Sequence, residues 1–180
     1  ISLSKKIDKS KEFCQLILDN SKKIIKIKKG VIITENRLGI ITANAGIDQS
    51  NINKKDFCLL LPLNPNATAR KISQAIYQET GKKLGIIISD SVGRPWRHGL
   101  TQISIGSFGI SPIKKYKKDL FKNNLYDTEV PIVDEIASAA GILMEKDIGI
   151  PVVLIKGYNY MKSNKDSNIL LRSGENDIFK

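Results

Sequence analysis

The sequence predicts an α+β fold, mixed sheets with packed helices in a single domain, and three observations carry that reading. Apolar residues recur at helical spacing in three stretches, 8–20, 67–80 and 131–146. Short β-branched or apolar runs, bounded by Gly, Pro and Asn, lie between them. The two kinds of segment are mixed rather than strictly alternating, which favours α+β over a doubly wound parallel sheet. The 180 residues suffice for one domain with a real core.

Residues 8–20 place Phe13, Leu16, Ile17 and Asn20 on one helical face, with Ser10 as the N-cap. Ile24, Ile25 and Ile27, set among lysines, predict a strand that ends before Gly30. Residues 31–44 predict two strands around a Glu35-Asn36-Arg37 turn, and Phe57 to Leu61 a short buried strand. Asn64-Pro65-Asn66 caps a helix from Ala67 to Thr80 that Gly81 closes. Gly85 to Ser89 reads as a buried strand entering a polar loop at Asp90, and 101–109 alternates as another strand. Residues 114–128 are Lys-rich and read as an irregular surface excursion. The helix of 131–146 puts Ile136, Ala139, Ala140 and Leu143 on its buried face. Pro151 to Ile155 reads as a last apolar strand, and Gly157 onward as a tail.

Composition narrows the function. Lys+Arg 29 against Asp+Glu 18 gives a net charge of +11, which raises nucleic acid or an anionic membrane as a partner. The excess is mostly Lys, 24 to 5 Arg, and is accompanied by 29 Ile and 13 Asn. An AT-biased genome writes those three residues by default, so the lysines read as a solvated surface and a nucleic-acid partner is not expected. No apolar run approaches the roughly 20 residues of a membrane span, and no signal peptide opens the chain. Cys14 and Cys58 are too few and too far apart for a disulfide framework. A cytoplasmic protein is expected. The start at Ile1, with no targeting segment to explain a lost Met, reads as that of a fragment.

Two segments carry chemistry. The first, Asn44 to Asn51, follows an apolar strand and holds Asp48 among amide and hydroxyl side chains. Its plain alternative is a turn in which Asp48 and Asn51 bond local backbone. The second is Ser89-Asp90-Ser91-Val92-Gly93-Arg94-Pro95-Trp96-Arg97-His98-Gly99. Asp90 beside Ser91 offers hard oxygen ligands, suited to Mg²⁺ or Mn²⁺. One His and two distant Cys give no zinc spacing. Arg94 and Arg97 are two of the five arginines, and the planar guanidinium binds phosphate bidentately where Lys acts as a point charge. Together they point to a polyphosphate. Their alternative is a surface loop with Trp96 packed beneath it. Asp48 and Asp90 can converge on one divalent ion if their strands are neighbours.

The remaining candidates read as structural. His98 is a lone surface residue, and Asp134 and Glu135 open a helix where the dipole favours acids. Ser138 to Gly141 is a face for close packing, and Glu145-Lys146-Asp147 a polar turn able to offer another oxygen ligand.

ANAGIDQSN (43–51), LLPLNPNATAR (60–70), SDSVGRPWRHG (89–99), DEIASAAGILM (134–144) and GIPVVLIKGYNY (149–160) stand in one order and spacing. Together they resemble the coenzyme F420:L-glutamate ligase family, over nearly the whole chain. The resemblance implies a GTP-dependent ligase that phosphorylates a carboxylate of coenzyme F420-0 and joins L-glutamate to the acyl phosphate through a γ-glutamyl amide. It implies two Mg²⁺ or Mn²⁺ ions, K⁺ as a further cofactor, and an intertwined homodimer. Carried over, Asp48 and Asp90 match the first metal's carboxylates, Ser91 the hydroxyl at the second metal, and Asn51 a nucleotide contact. Glu145 is the further ligand chosen from a turn one residue shorter than the family pattern, with Lys146 the alternative occupant. The phosphate roles of Arg94 and Arg97 come from their chemistry. The family's strand-rich N-terminal segment, which contributes nucleotide contacts, finds no counterpart in residues 1–20, so weak or no activity is expected of the chain alone. The alternatives are the same chemistry on another carboxylate such as a folate, an inactive fragment, or a basic nucleic-acid-binding module.

Overall fold

A computed structural model describes residues 3–54, 57–172 and 177. It is α+β, with three small antiparallel sheets and four α-helices among the described residues. Its contacts fall into two compact units, Ile1–Leu63 with Val92–Leu100, and Asn64–Ser91 with Thr101–Lys180.

The first unit opens with α1 (Leu3–Ile7) and α2 (Lys11–Asp19). Ser10 caps α2 as its spacing predicts, its Oγ accepting from Phe13 N–H at 3.1 Å. Phe13, Cys14 and Ile17 on the buried face of α2 join Ile7, Ile32, Ala45 and Ile47 in the core, and Cys58 packs against them. A three-stranded sheet follows in the order β1 (Ser21–Lys28), β2 (Val31–Asn36), β3 (Ile41–Ala43). Strict alternation along β2 buries Ile32, Thr34 and Asn36. The turn occupies residues 37–39, two residues later than the sequence suggests. Glu35 and Asn36 belong to β2 instead of the turn, and the buried Asn36 Oδ1 accepts from Leu38 N–H and Ile40 N–H at 2.9 and 3.0 Å. Phe57 to Leu61 is not a buried strand: a single antiparallel bridge joins Leu59 to Asp48, and Phe57, Leu59 and Leu60 are exposed.

In the second unit α3 (Pro65–Thr80) runs between the predicted caps. Asn64 Oδ1 accepts from Ala67 N–H at 2.9 Å, and Gly81 closes the helix in the left-handed conformation. The strands β4 (Ile86–Arg94) and β5 (Arg97–Phe108) pair as a hairpin, its arms in this unit and its tip counted with the first. The strand through Ser89 therefore continues across Asp90 and Ser91, and no polar loop begins there.

The buried stretch of β5 is small and polar: Ser104, Gly106 and Ser107 with Ile105. This lets neighbouring elements reach its backbone. Asn66 in α3 accepts from Ser107 N–H at 2.8 Å. A Cβ on Gly106 would stand 2.5 Å from Pro65 carbon atoms. On α4 (Ile132–Met144), Asp134 accepts from Ser104 N–H at 2.9 Å and Ser138 donates to Gln102 O at 2.8 Å. Gly141, one turn on, leaves room for the Gln102 side chain, so the small face does serve close packing. Asp134, Ser138 and Gly141 are spaced i, i+4, i+7, a single face along the strand. That contact sets the helix rotation: Ile132, Val133, Ala137 and Ala140 are buried, while Ala139 and Leu143 of the predicted face are exposed.

Two further departures concern the second half of the chain. Residues 114–128 are not irregular, since β6 (Lys114–Lys118) and β7 (Asn124–Val130) form an antiparallel hairpin with Lys115 paired to Glu129. Residues 151–155 form no strand, and Val152 and Leu154 are exposed. The tail is instead anchored: Tyr160 Oη accepts from Gly85 N–H at 2.9 Å, and Ser167 bonds Ser104 and Ser107 in a buried hydroxyl cluster. Among the described residues no helix is long and apolar enough to cross a membrane.

Two outcomes test this packing. Gly106→Ala is expected to destabilise the chain by about 1–3 kcal/mol, the cost of overpacking against backbone that a side-chain rotation cannot relieve; an unchanged urea midpoint would refute the close approach. Burial pushes the Asp134 carboxyl above its ordinary pKa, and the Ser104 hydrogen bond opposes this only in part. A carboxyl with a raised folded pKa contributes stability that is full below its unfolded pKa and lost as pH rises through the folded one. Asp134→Asn keeps a carbonyl acceptor for Ser104 and is expected to be more stable than wild type at neutral pH. That gain should vanish as the pH falls below the ordinary carboxylate range; a difference independent of pH would refute the assignment.

Candidate functional site

The segment before Asp48 is the most strained part of the first unit. Asn44, Ala45 and Gly46 have φ of 49°, 58° and 76°, three successive left-handed residues in one 3₁₀-type turn. Positive φ at a non-glycine residue costs about 1–3 kcal/mol and persists only where surroundings fix it. Here Asn44 Oδ1 accepts from Ile32 N–H at 3.0 Å, and Ala45 is buried in the core. At Gly46 a Cβ would meet Leu61 at 2.6 Å, so both its φ and its neighbour exclude a side chain.

Asp48 emerges from this turn exposed, its backbone bridged to Leu59 in both directions. Its Oδ1 and Oδ2 accept from the N–H and Oγ of Ser50 at 2.7 and 2.9 Å. The local turn weighed in the sequence reading is therefore formed by Asp48, and it fixes the carboxylate's orientation toward solvent. Asn51 follows, exposed and left-handed with φ 52°. Also in this unit is the hairpin tip. Arg94 and Arg97 flank the two-residue connection Pro95–Trp96 and are exposed. Trp96 has φ 60° and is 88% exposed, so it is not packed beneath the arginines. His98 lies on the exposed start of β5.

Asp90, Ser91 and Glu145 belong to the second unit. Asp90 is half-buried on β4, and its Oδ1 accepts from Ser91 N–H at 2.8 Å. The Ser91 hydroxyl accepts a hydrogen bond from the Lys146 ammonium. Glu145 is the C-cap of α4, exposed, with φ 48° and ψ −150°, and its N–H reaches Gly141 O at 3.2 Å. Of the turn Glu145-Lys146-Asp147, then, it is Lys146 that the structure brings to Ser91. Asp134 stands in the first turn of α4, as read from sequence, and also holds β5 through Ser104 N–H; a half-buried acid facing a strand N–H leaves no trace in local spacing.

Whether these donors suit metal ions follows from their chemistry. Carboxylates at Asp48 and Asp90 with the Ser91 hydroxyl are hard oxygen donors of the kind that Mg²⁺ and Mn²⁺ take. Among the described residues no three His, Cys, Asp or Glu side chains cluster as a metal site. An ammonium on the Ser91 hydroxyl puts positive charge where the family pattern would place a second cation, so the donor set does not fit a second ion there.

The comparisons with known proteins agree with the motif order. Residues 1–157 match the family model described as F420-0:Gamma-glutamyl ligase. A relative from Methanocaldococcus jannaschii named Coenzyme F420:L-glutamate ligase is 47% identical over 183 residues, covering 100% of this chain and 73% of the relative. Relatives of the same name from Methanococcus maripaludis and Methanothermobacter thermautotrophicus are 42% and 36% identical, with the same coverage. The strained turn into Asp48, the Asp90–Ser91 pair on β4 and the arginine-bearing tip are thus features of a chain that belongs to the F420-0:gamma-glutamyl ligase family.

Proposed function

We propose that the chain carries the ligase chemistry of a GTP-dependent coenzyme F420-0:L-glutamate ligase. The observation that carries this reading is the match to relatives of that name along the entire chain, at up to 47% identity in those compared. The substrates are GTP, L-glutamate and coenzyme F420-0, in the reducing cytoplasm that two free cysteines suit.

The reaction makes an amide from an unactivated carboxylate. A carboxylate oxygen of coenzyme F420-0 attacks the γ-phosphorus of GTP, and the β–γ bridging bond breaks to release GDP. The amine of L-glutamate, having lost a proton, then attacks the acyl carbon, and inorganic phosphate leaves with the former carboxylate oxygen. Phosphoryl transfer of this kind is mainly positioning and charge stabilisation. The family resemblance assigns divalent-metal carboxylates to Asp48 in the first unit and Asp90 in the second, and Ser91 adds a hydroxyl beside Asp90. Such an ion, when bound, neutralises phosphate charge that would repel the attacking carboxylate. Arg94 and Arg97 present guanidinium groups to phosphate oxygens, Asn51 contacts the nucleotide, and Lys146 supplies a point charge at Ser91.

A homodimer is part of this proposal. Its support is apolar surface that a protomer leaves uncovered: Ile142, Leu143, Val152 and Leu154 are all more than half exposed.

Incubation of the chain, extended at its N-terminus to the length of its relatives, with GTP, Mg²⁺ or Mn²⁺, K⁺, L-glutamate and coenzyme F420-0 is expected to yield GDP and the glutamylated product by mass spectrometry. Turnover only with a folate or another carboxylate would replace the substrate. Absence of both turnover and nucleotide binding would overturn the reading. Asp90→Asn is expected to lower kcat on the order of 100-fold or more with an unchanged circular dichroism spectrum. Chelation by EDTA is expected to abolish turnover, and Mg²⁺ or Mn²⁺ to restore it; activity that survives chelation would remove the metal from the mechanism.

A further inference from the structure

The chain leaves α4 by an unusual route. Glu145 has φ 48° and ψ −150°, a conformation that belongs to glycine, while its N–H still bonds Gly141 O at 3.2 Å. A residue with a side chain stays there only where its surroundings fix it, and α4 is fixed along its length by β5. Asp134 accepts from Ser104 N–H, and Ser138 gives its one hydroxyl proton to Gln102 O. Thr101 Oγ1 therefore donates to Ser138 Oγ at 3.0 Å, a third bond that holds the helix to the strand. The place where α4 ends is thus set by β5, and the residue just past its C-cap is Lys146. Its ammonium donates to the Ser91 hydroxyl across 55 positions, with both residues in the second unit.

Two features favour a positive charge at this place. The last carbonyls of a helix carry partial negative charge, and Lys146 stands just beyond them. Asp90, the neighbour of Ser91 on β4, adds a half-buried carboxylate. With the ammonium in position, a divalent ion on the same hydroxyl is disfavoured. An ion would bond the Ser91 oxygen at about 2.1 Å and the ammonium hydrogen bond spans about 2.9 Å, leaving the two centres roughly 5 Å apart at most. Like charges at that separation repel appreciably. An ammonium has donors and no lone pair, so it cannot become one of the ion's ligands.

We propose that Lys146 is the cation in place of a second divalent ion, so that this chain binds one divalent ion where the family pattern uses two. The inference rests on the ligase reading for what the charge acts on, the phosphate oxygens at the transfer step. There the exposed ammonium supplies a point charge and hydrogen-bond donors that are part of the chain and need not be recruited from solution. The strained, shortened turn at Glu145 is what delivers it.

Mn²⁺ titrations followed by electron paramagnetic resonance count the ions without turnover. The chain, extended at its N-terminus to the length of its relatives, is expected to bind one Mn²⁺. Lys146→Gln removes the charge and keeps an exposed polar side chain; it is expected to bind two, with an unchanged thermal transition. Lys146→Arg restores the charge and is expected to return the count to one. Turnover reads the same difference in another way. Its dependence on Mg²⁺ is expected to be first order in wild type and Lys146→Arg, and to approach second order in Lys146→Gln, which should need about tenfold more Mg²⁺. Two Mn²⁺ ions in wild type overturn the inference, as does a single ion in Lys146→Gln. Either result leaves the ligase reading standing when GDP and the glutamylated product form. A wild type that binds no Mn²⁺ and forms no GDP is a different outcome, in which the ligase reading fails and this inference with it.

Discussion

The second unit depends on how closely its neighbours approach the backbone of β5. Helices pack on a strand at a distance set by the side chains between them, and here Ser104, Gly106 and Ser107 provide almost none. The first turn of α3 comes to within contact of Gly106 and bonds Ser107, while α4 lies along 102–104 through Asp134 and Ser138. The remote 3₁₀ turn Ser167–Leu170 is reached through the hydroxyl of Ser167. Buried hydroxyl and carboxylate groups carry a desolvation cost, offset here because each finds a partner on β5. The apolar cluster of Ile110, Ile132 and Val133 is small, so directional bonds decide the geometry to an unusual degree.

Local strain and local hydrogen bonding shape the candidate site in the same way. The left-handed run Asn44–Gly46 stores conformational energy that the buried Ala45 and the Asn44–Ile32 bond offset. Its effect is to deliver Asp48 to the surface with both carboxylate oxygens already oriented by Ser50. Asp90 receives similar treatment from the N–H of its own neighbour. Carboxylates oriented by short-range bonds have little conformational freedom left to lose.

Charge is distributed differently from what the +11 total suggests. Most lysines are solvated; β1 is exposed along nearly its whole length and carries lysines at 22, 23, 26 and 28. Three cationic groupings are placed by the fold instead: the two arginines at the hairpin tip, Lys146 on Ser91, and Lys83 with Lys162 around an aromatic cavity. Each groups only one or two cations.

What the sequence determined by itself is local or carried by motif. Ser10, Asn64 and Gly81 act within one helical turn of themselves, so the bounds of α2 and α3 were legible from residue type and spacing. Family membership was legible because whole motifs, unlike single residues, are improbable by chance. The tertiary structure alone decided what depends on partners distant in the chain. The face of α4 was misread because hydropathy marked Leu143, whereas contact with Gln102 and Ser104 sets the rotation. The hairpin of 114–130 was hidden by lysines that cost nothing on a two-stranded sheet open to water. The apolar run at 151–155 looked like a strand, but apolar side chains specify burial and not a pairing partner, and none lies beside it within the described chain. Which residue of Glu145-Lys146-Asp147 meets Ser91 is a question of reach across 55 positions, and only the folded chain brings the ammonium there.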